Sequence, residues 1–340
     1  MKDKLNVAIA GIANHGVTMR NSALKCEKIN IVSAYDINTE ELNKFAAQIN
    51  CKAANNYDEL VDDTTVDAVM LVTPNHLHFE QCKKAVDKKK QIFLEKPITN
   101  FVNEGIELVN YVNEGGVTLQ VGHHMRYRAT YRETKKIIEE GKIGEIVSFY
   151  CNFSHDGGFS PNVPKWKLDK KTCPLLPMMQ IGIHFIDTIQ YMVSDVEKVS
   201  CMAVSHSMGN DVLDNTVANI KLKGNVVGVL NCHYIIPAIF EVKIFGTKGT
   251  IYLNGPNIEI ECVNAGQRTK ECKSIYEKDG YNAYDIQIAD FADKILNDQK
   301  PEVDGIMGIR NLAAIEAMNI SVEQGREVRI DEVFNPSLIK

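Results

Sequence analysis

The first third of the chain alternates short apolar runs with helix-patterned stretches, and this rhythm restricts the fold more than any other feature. Leu5 to Ala10, Ile31 to Tyr35, Ala68 to Val72, Ile92 to Leu94 and Val117 to Val121 have the length and β-forming content of strands. Between them, Thr39 to Ile49, Leu77 to Lys88 and Phe101 to Asn113 carry helical patterns. Strands separated by helices cannot pair through tight hairpins. They line up in parallel, and the helices cover both faces of the sheet.

After about His123 the rhythm changes. Thr130 to Glu140 reads as one more helix, stopped by Gly141. Strand-like runs then succeed one another at Ile146 to Phe153, Val196 to Ser205, Val217 to Leu222, Val226 to His233, Phe240 to Phe245 and Gly249 to Leu253. Gly224-Asn225 and Gly246-Thr247-Lys248-Gly249 supply turn chemistry between them. Two helices, Tyr284 to Asn297 and Gly305 to Gln324, close the chain. The expected fold class is α/β plus α+β, with a parallel Rossmann sheet over residues 1–122 and a mostly antiparallel open sheet in a second domain over 123–340. A chain of 340 residues is of the right length for two domains.

A net charge of −6 and a pI near 5.9, with no basic block, argue against nucleic acid or an anionic membrane surface as partner. The lysines between Lys165 and Lys171 are interrupted by Asp169 and read as a solvated face. No run approaches the ~20 apolar residues of a membrane span. Met1-Lys2-Asp3-Lys4 leads directly into an apolar strand, which does not read as an export signal. Nine cysteines without a Cys-x-x-Cys pair point to no metal site and to a reducing, cytoplasmic setting.

The first strand runs into Gly11-Ile12-Ala13-Asn14-His15-Gly16, a G-x-A-x-x-G turn before a helix. Its first glycine permits a tight turn, the middle position lets backbone approach a pyrophosphate, and the last lets helix pack on strand. The helix N-terminus favours the phosphates. Asp36 ends the second strand, 20 residues after Gly16, where a carboxylate accepts from adenosine ribose hydroxyls and repels a 2′-phosphate. NAD is therefore expected rather than NADP. Thr73, Asn75 and His78 lie at the carboxyl end of the next strand, where ligands of open α/β sheets bind, although a Pro-Asn turn capping a helix explains them equally well.

Glu95-Lys96-Pro97 also ends a strand, and a Lys placed there can donate to a substrate oxygen. Gln180, His184 and Asp187 share one helix face at spacings of four and three. Arg126, Arg128, Trp166, His155 and His233 could line a substrate site or serve structure alone.

With these residues in order, the sequence resembles the glucose–fructose oxidoreductase / inositol dehydrogenase (Gfo/Idh/MocA) family. The resemblance rests on the glycine turn, Asp36, Thr73-Pro74-Asn75 with His78, Glu95-Lys96-Pro97, Val121-Gly122 with Arg126, Gly182-x-His184-x-x-Asp187, Gly246-Thr247-Lys248-Gly249 and Tyr284 through Phe291. It implies hydride transfer between a nicotinamide dinucleotide and a hydroxyl carbon of a sugar, polyol or related molecule. It further implies a homodimer or homotetramer formed through the second-domain sheet. Lys96 would polarise the substrate oxygen, His184 would be the acid/base, and Lys96–Pro97 would be a candidate cis peptide. Gly11, Ile12, Ala13, Gly16, Asp36, Thr73, Asn75, His78, Glu95 and Lys96 would hold the cofactor. Lys96, Arg126, Trp166, Gln180 and His184 would meet the substrate, Arg126 being the best basic partner for an acid or phosphate.

Two departures stand out. Gln180 occupies a position where many polyol dehydrogenases of the family carry Asp, and an amide cannot exchange a proton. Leu175-Leu176 stand where members often carry a pair of glycines. A non-catalytic dinucleotide sensor and an NAD-dependent glycosidase are the competing expectations.

Overall fold

In a computed structural model, residues 3–209, 212–264, 266–275 and 282–340 are described. The chain divides into two units: Met1–His124, Tyr281–Ile309 and Pro336–Lys340 form the first, and Met125–Gly280 with Arg310–Asn335 the second.

The first unit is built from β1 (Leu5–Ala10), α1 (His15–Lys25), β2 (Ile29–Tyr35), α2 (Thr39–Ile49), β3 (Lys52–Ala53), α3 (Tyr57–Asp62), β4 (Ala68–Leu71), α4 (His78–Asp87), β5 (Gln91–Glu95), α5 (Val102–Gly115) and β6 (Leu119–Gly122). Its strands are all parallel in the order β3-β2-β1-β4-β5-β6. Strand order reverses between β1 and β4, which opens the crevice where a doubly wound sheet takes its ligand. β4 is buried at every position and β1 at all but one, because helices lie on both faces. Side chains punctuate the helices: Asn38 and Asn56 cap α2 and α3 by accepting the amides of Glu41 and Glu59. Gly116 ends α5 in the left-handed conformation.

The second unit follows with α6 (Ala129–Glu139), β7 (Ile146–Ser154), α7 (Ile183–Met192), β8 (Val196–Val204), β9 (Asn215–Leu222), β10 (Val227–His233), β11 (Ile239–Gly246), β12 (Gly249–Asn254), β13 (Asn257–Asn264) and β14 (Gln267–Ser274). Then come α8 (Ala283–Leu296), α9 (Gly305–Gln324) and β15 (Val328–Arg329). The second sheet runs β14-β13-β12-β11-β7-β10-β9-β8-β15. Its neighbours are antiparallel except β7 and β10, which are parallel.

Residues after 122 do not all belong to one domain, and the expected span 123–340 needs correction. Helix α8 returns to the first unit, where Ile288, Phe291 and Ala292 join the core formed by Leu5, Val7, Ile9, Met70 and Phe93. The Phe93 and Phe291 rings meet edge to face at 5.6 Å. A parallel sheet needs apolar cover on both faces, and α8 supplies part of it.

Candidate active site

The glycine turn leaves β1 with Gly11 at φ +89°, a conformation that L side chains rarely adopt. A Cβ on Gly11 would fall 2.4 Å from the Val72 carbonyl oxygen, and one on Gly16 would fall 2.2 Å from the Gly11 carbonyl oxygen. Backbone fills the space that any side chain would need. Asn14, at φ +52° and ψ −116°, adopts a backbone conformation that suits glycine better, and it stores strain where α1 begins.

Asp36 is buried against this turn. Its Oδ2 accepts the amides of Ile12 (2.7 Å) and Ala13 (3.0 Å), and its Oδ1 accepts the amide of Asn38 (2.9 Å). The carboxylate thus fixes the turn, and of its roughly four acceptor sites about one is left for a ribose hydroxyl. This alters two expectations: the Ile12 and Ala13 amides face Asp36 rather than standing ready for a pyrophosphate, and the Ile12 side chain is wholly buried.

At the end of β4, Thr73 donates through Oγ1 to Gln81 Oε1 (2.5 Å), tying the turn to α4. Asn75 is 4% exposed, and its Nδ2 has no hydrogen-bond partner among the described residues. A buried donor in that state costs about 1–3 kcal/mol until an acceptor arrives. The glycine cradle, the acceptor site left on Asp36 and the orphan donor of Asn75 together fit a dinucleotide.

His78 departs from its expected role. It is fully buried, with Nδ1 2.8 Å from the Pro97 carbonyl oxygen and Nε2 2.9 Å from that of Thr73. Both nitrogens face backbone, so His78 clamps two strand-end turns and offers nothing to a ligand. Burial lowers its pKa, against the opposing pull of the two carbonyls.

Glu95 is buried at the end of β5. Its Oε2 accepts the Lys96 amide (3.3 Å), and its Oε1 lies 3.6 Å from His15 Nε2. Burial raises the pKa of this carboxyl, but His15, Lys96 and His124 outweigh it and hold Glu95 below the usual range. Gly122 leaves room for this carboxylate, since a Cβ would meet Glu95 Oε1 at 2.8 Å. The Lys96–Pro97 bond is cis. Above Glu95, the rings of His124 and Tyr284 stack at 4.0 Å, with His15 edge-on to Tyr284 at 5.6 Å. Sequence reasoning missed His15 and His124, because isolated histidines beside a motif carry no pattern of their own.

In the second unit, Gln180 sits in a π-helical turn, Met178–Gly182, that leads into α7. Such turns recur at functional sites because the extra residue re-aims side chains. Gly182 lets the turn approach β10, where a Cβ would press on Cys232 Sγ at 3.0 Å. Leu175 holds φ +50°, which explains why glycine is the easier residue there. Gln180 and His184 are both buried, at 8% and 7% exposure, and Gln180 Nε2 donates weakly to Cys173 Sγ (3.5 Å). The His184 ring lies 6.3 Å from that of Phe153, which packs with Phe185 and Phe240.

Arg126, expected to meet the substrate, makes a buried ion pair within the second unit. It is buried, and its Nε bridges both oxygens of Asp187 (2.9 and 2.8 Å). Asn311 donates to the same carboxylate (2.7 Å), and Gln190 to Asn311 (2.7 Å). Through Nε the guanidinium neutralises Asp187. Arg128 lies over the Phe240 ring at 5.4 Å, and half-buried Trp166 accepts Thr172 Oγ1 at its carbonyl (2.5 Å).

Comparison with known proteins bears directly on this geometry. Residues 5–123 match the GFO_IDH_MocA model, described as an oxidoreductase family with an NAD-binding Rossmann fold, and residues 131–252 match the GFO/IDH/MocA C-terminal domain. The chain is 26% identical to the 1,5-anhydro-D-fructose reductase of Ensifer adhaerens, over 82% of this chain and 84% of that one. It is 25% identical to the 2,7-anhydro-N-acetylneuraminate hydratase of Escherichia coli (strain K12), over 97% of this chain and 98% of that one. A solved levoglucosan dehydrogenase in complex with NADH has the same fold, with a TM-score of 0.88 at 21% identity, covering 96% of this chain and 99% of that one.

Proposed function

The chain belongs to the Gfo/Idh/MocA family of NAD-binding oxidoreductases, and from that premise we propose that it interconverts a hydroxyl carbon and a carbonyl on a sugar, polyol or related small molecule. The observation that carries this reading is the strand-end constellation of the first unit. Gly11 and Gly16 leave room for backbone alone, Asp36 fixes the turn, and buried Asn75 keeps an unmet donor at the end of β4, with Lys96 at the end of the next strand, β5. Relatives named for anhydro-sugar substrates support the substrate class.

The nicotinamide ring, when bound, supplies the hydride acceptor or donor. The chain does the rest. Lys96 holds and polarises the substrate oxygen, and His184 takes or returns its proton. Gln180 binds a hydroxyl and leaves proton exchange to these two groups, since an amide cannot perform it. Asp36 sets the preference for NAD, as its charge opposes a 2′-phosphate.

Two further parts of the reading concern assembly and setting. Met202 and Val217 pair across β8 and β9, and with Val204 and Val227 they leave apolar surface on the second sheet. We take this face as the interface of a homodimer or homotetramer. Nine free cysteines accord with a reducing, cytoplasmic setting.

The test is a panel of sugars and polyols with NAD⁺, read at ~340 nm for reduced nicotinamide and by mass spectrometry for product. Binding of NADH without conversion of any compound would favour a dinucleotide sensor. Product formed without net NADH would instead favour a redox-neutral enzyme that retains its cofactor, such as a glycosidase.

A further inference from the structure

The Glu95 carboxylate is buried, with its side chain 6% exposed, and its Oε1 has no hydrogen-bond partner among the described residues. His15 Nε2 stands 3.6 Å from that oxygen. The gap is too long for a hydrogen bond, yet it makes an ion pair once the imidazole takes a proton. His15 opens α1 and its side chain is 45% exposed, so it exchanges protons with bulk water while Glu95 is shut away from it.

The groups around this pair come from several elements. Lys96 follows Glu95 at the end of β5, and His124 follows β6. Tyr284, in the first turn of α8, stacks on His124 at 4.0 Å and meets His15 edge-on at 5.6 Å. Asp285, next along α8, pairs with Lys25 of α1 at 2.9 Å, and Asp36 is turned to the amides of Ile12, Ala13 and Asn38. Among the charges that hold the Glu95 carboxyl ionised against burial, His15 acts most strongly, ahead of Lys96 and His124. In the strand order β3-β2-β1-β4-β5-β6, Asp36 follows β2 and the glycine turn follows β1. A dinucleotide with its adenosine at Asp36 and its pyrophosphate at the glycine turn sends its other half toward the ends of β4 and β5, where Glu95 lies.

Resting on the nicotinamide site described above, we propose that His15 selects between the two oxidation states of the cofactor, its proton shifting the site from NAD⁺ toward NADH. The oxidised nicotinamide ring is a cation and the reduced ring is neutral. A buried carboxylate favours the cation, because the attraction is poorly screened away from water. With His15 neutral, Glu95 exerts that preference in full. With His15 protonated, the two side chains cancel and the preference for the cation fades. Histidine is the side chain whose charge ordinarily changes between about pH 5 and 8, so the selection follows pH.

The test reads binding and needs no turnover. NAD⁺ and NADH are titrated calorimetrically onto the whole chain at about pH 6, 7 and 8.5, and the ratio Kd(NADH)/Kd(NAD⁺) measures the preference for the oxidised form. That ratio should rise at least ~threefold from the lowest pH to the highest. His15→Gln should hold it near the parent's high-pH level throughout, whereas His124→Asn should leave the rise in place. Glu95→Gln should lower the ratio at least ~threefold at about pH 8.5. A thermal melt verifies that each variant folds. His15 is half-exposed, so His15→Gln decides the matter where Glu95→Gln does not fold. A parent ratio that ignores pH, one that rises equally in His15→Gln, or a rise lost in His124→Asn overturns the proposal and leaves the oxidoreductase reading standing. Failure of both cofactors to bind the parent chain overturns the two together.

Discussion

The Asp36 carboxylate accepts the backbone amide of Ile12 at 2.7 Å, and this contact fastens the end of β2 to the turn that follows β1. The same oxygen holds the Ala13 amide at 3.0 Å, so one side chain shapes the dinucleotide turn and carries the charge that opposes a 2′-phosphate. Asp36→Ser should therefore weaken NADH binding at least ~tenfold while raising the affinity for NADPH relative to NADH. It should also destabilise the fold by about 1–3 kcal/mol, since turn amides lose their acceptor. Fluorescence titration with both cofactors and a urea melt measure the two effects. An unchanged cofactor ratio would remove Asp36 from the specificity role.

Gly11→Ala places a methyl 2.4 Å from the Val72 carbonyl oxygen at a positive φ, so strain and collision act together. A loss of roughly 2–4 kcal/mol and of measurable NADH binding is expected, because both obstacles are backbone and cannot swing aside.

Lys96→Met keeps the length of the side chain and removes its proton donor. NADH affinity should stay within about threefold, and turnover should fall by a factor on the order of 10²–10⁴. Near-normal turnover would refute the assignment.

Arg126→Met removes the cation from the Asp187 carboxylate, which is 0% exposed and also accepts from Asn311. A cost of about 3–5 kcal/mol follows from a buried charge left without its partner. The double variant Arg126→Met/Asp187→Leu should recover a good part of that loss, and chemical denaturation of the set gives the coupling directly.

The buried imidazole of His78 sets a pH dependence. Its pKa is lower in the folded chain than in the unfolded one, so the unfolded chain binds the proton more readily as pH falls. The contribution is fully present above about pH 6.5 and is lost as pH falls toward the folded value, at up to ~1.4 kcal/mol per pH unit. Melting temperatures between about pH 7.5 and 5 should decline for the parent chain and decline less steeply for His78→Asn. Parallel curves for the two proteins would place that sensitivity elsewhere.

Local pattern made much of this molecule legible. Helix α2 runs from Thr39 to Ile49 as its pattern indicates, and the strand–helix alternation yields the parallel sheet. Strand β14 was not legible: Gln267–Ser274 is exposed along its whole length and charged, so no apolar alternation marks it. It exists because β13, with Ile258 and Ile260 buried, offers it an edge. The role of α8 escaped for a different reason. Its apolar face reads the same whichever sheet it covers, and only the folded chain shows Phe291 against Phe93.

The dinucleotide turn, announced by Gly11 and Gly16, was determined by sequence alone, because tight turns and backbone approach admit so few residue types. Tertiary structure decided which cations are available. Arg126 and Arg128 look alike as letters in a chain, yet Asp187 from a helix some sixty residues away neutralises the first, while the second lies over the Phe240 ring. Charge compensation depends on distance in space and on exclusion of water, and neither is written in the order of residues.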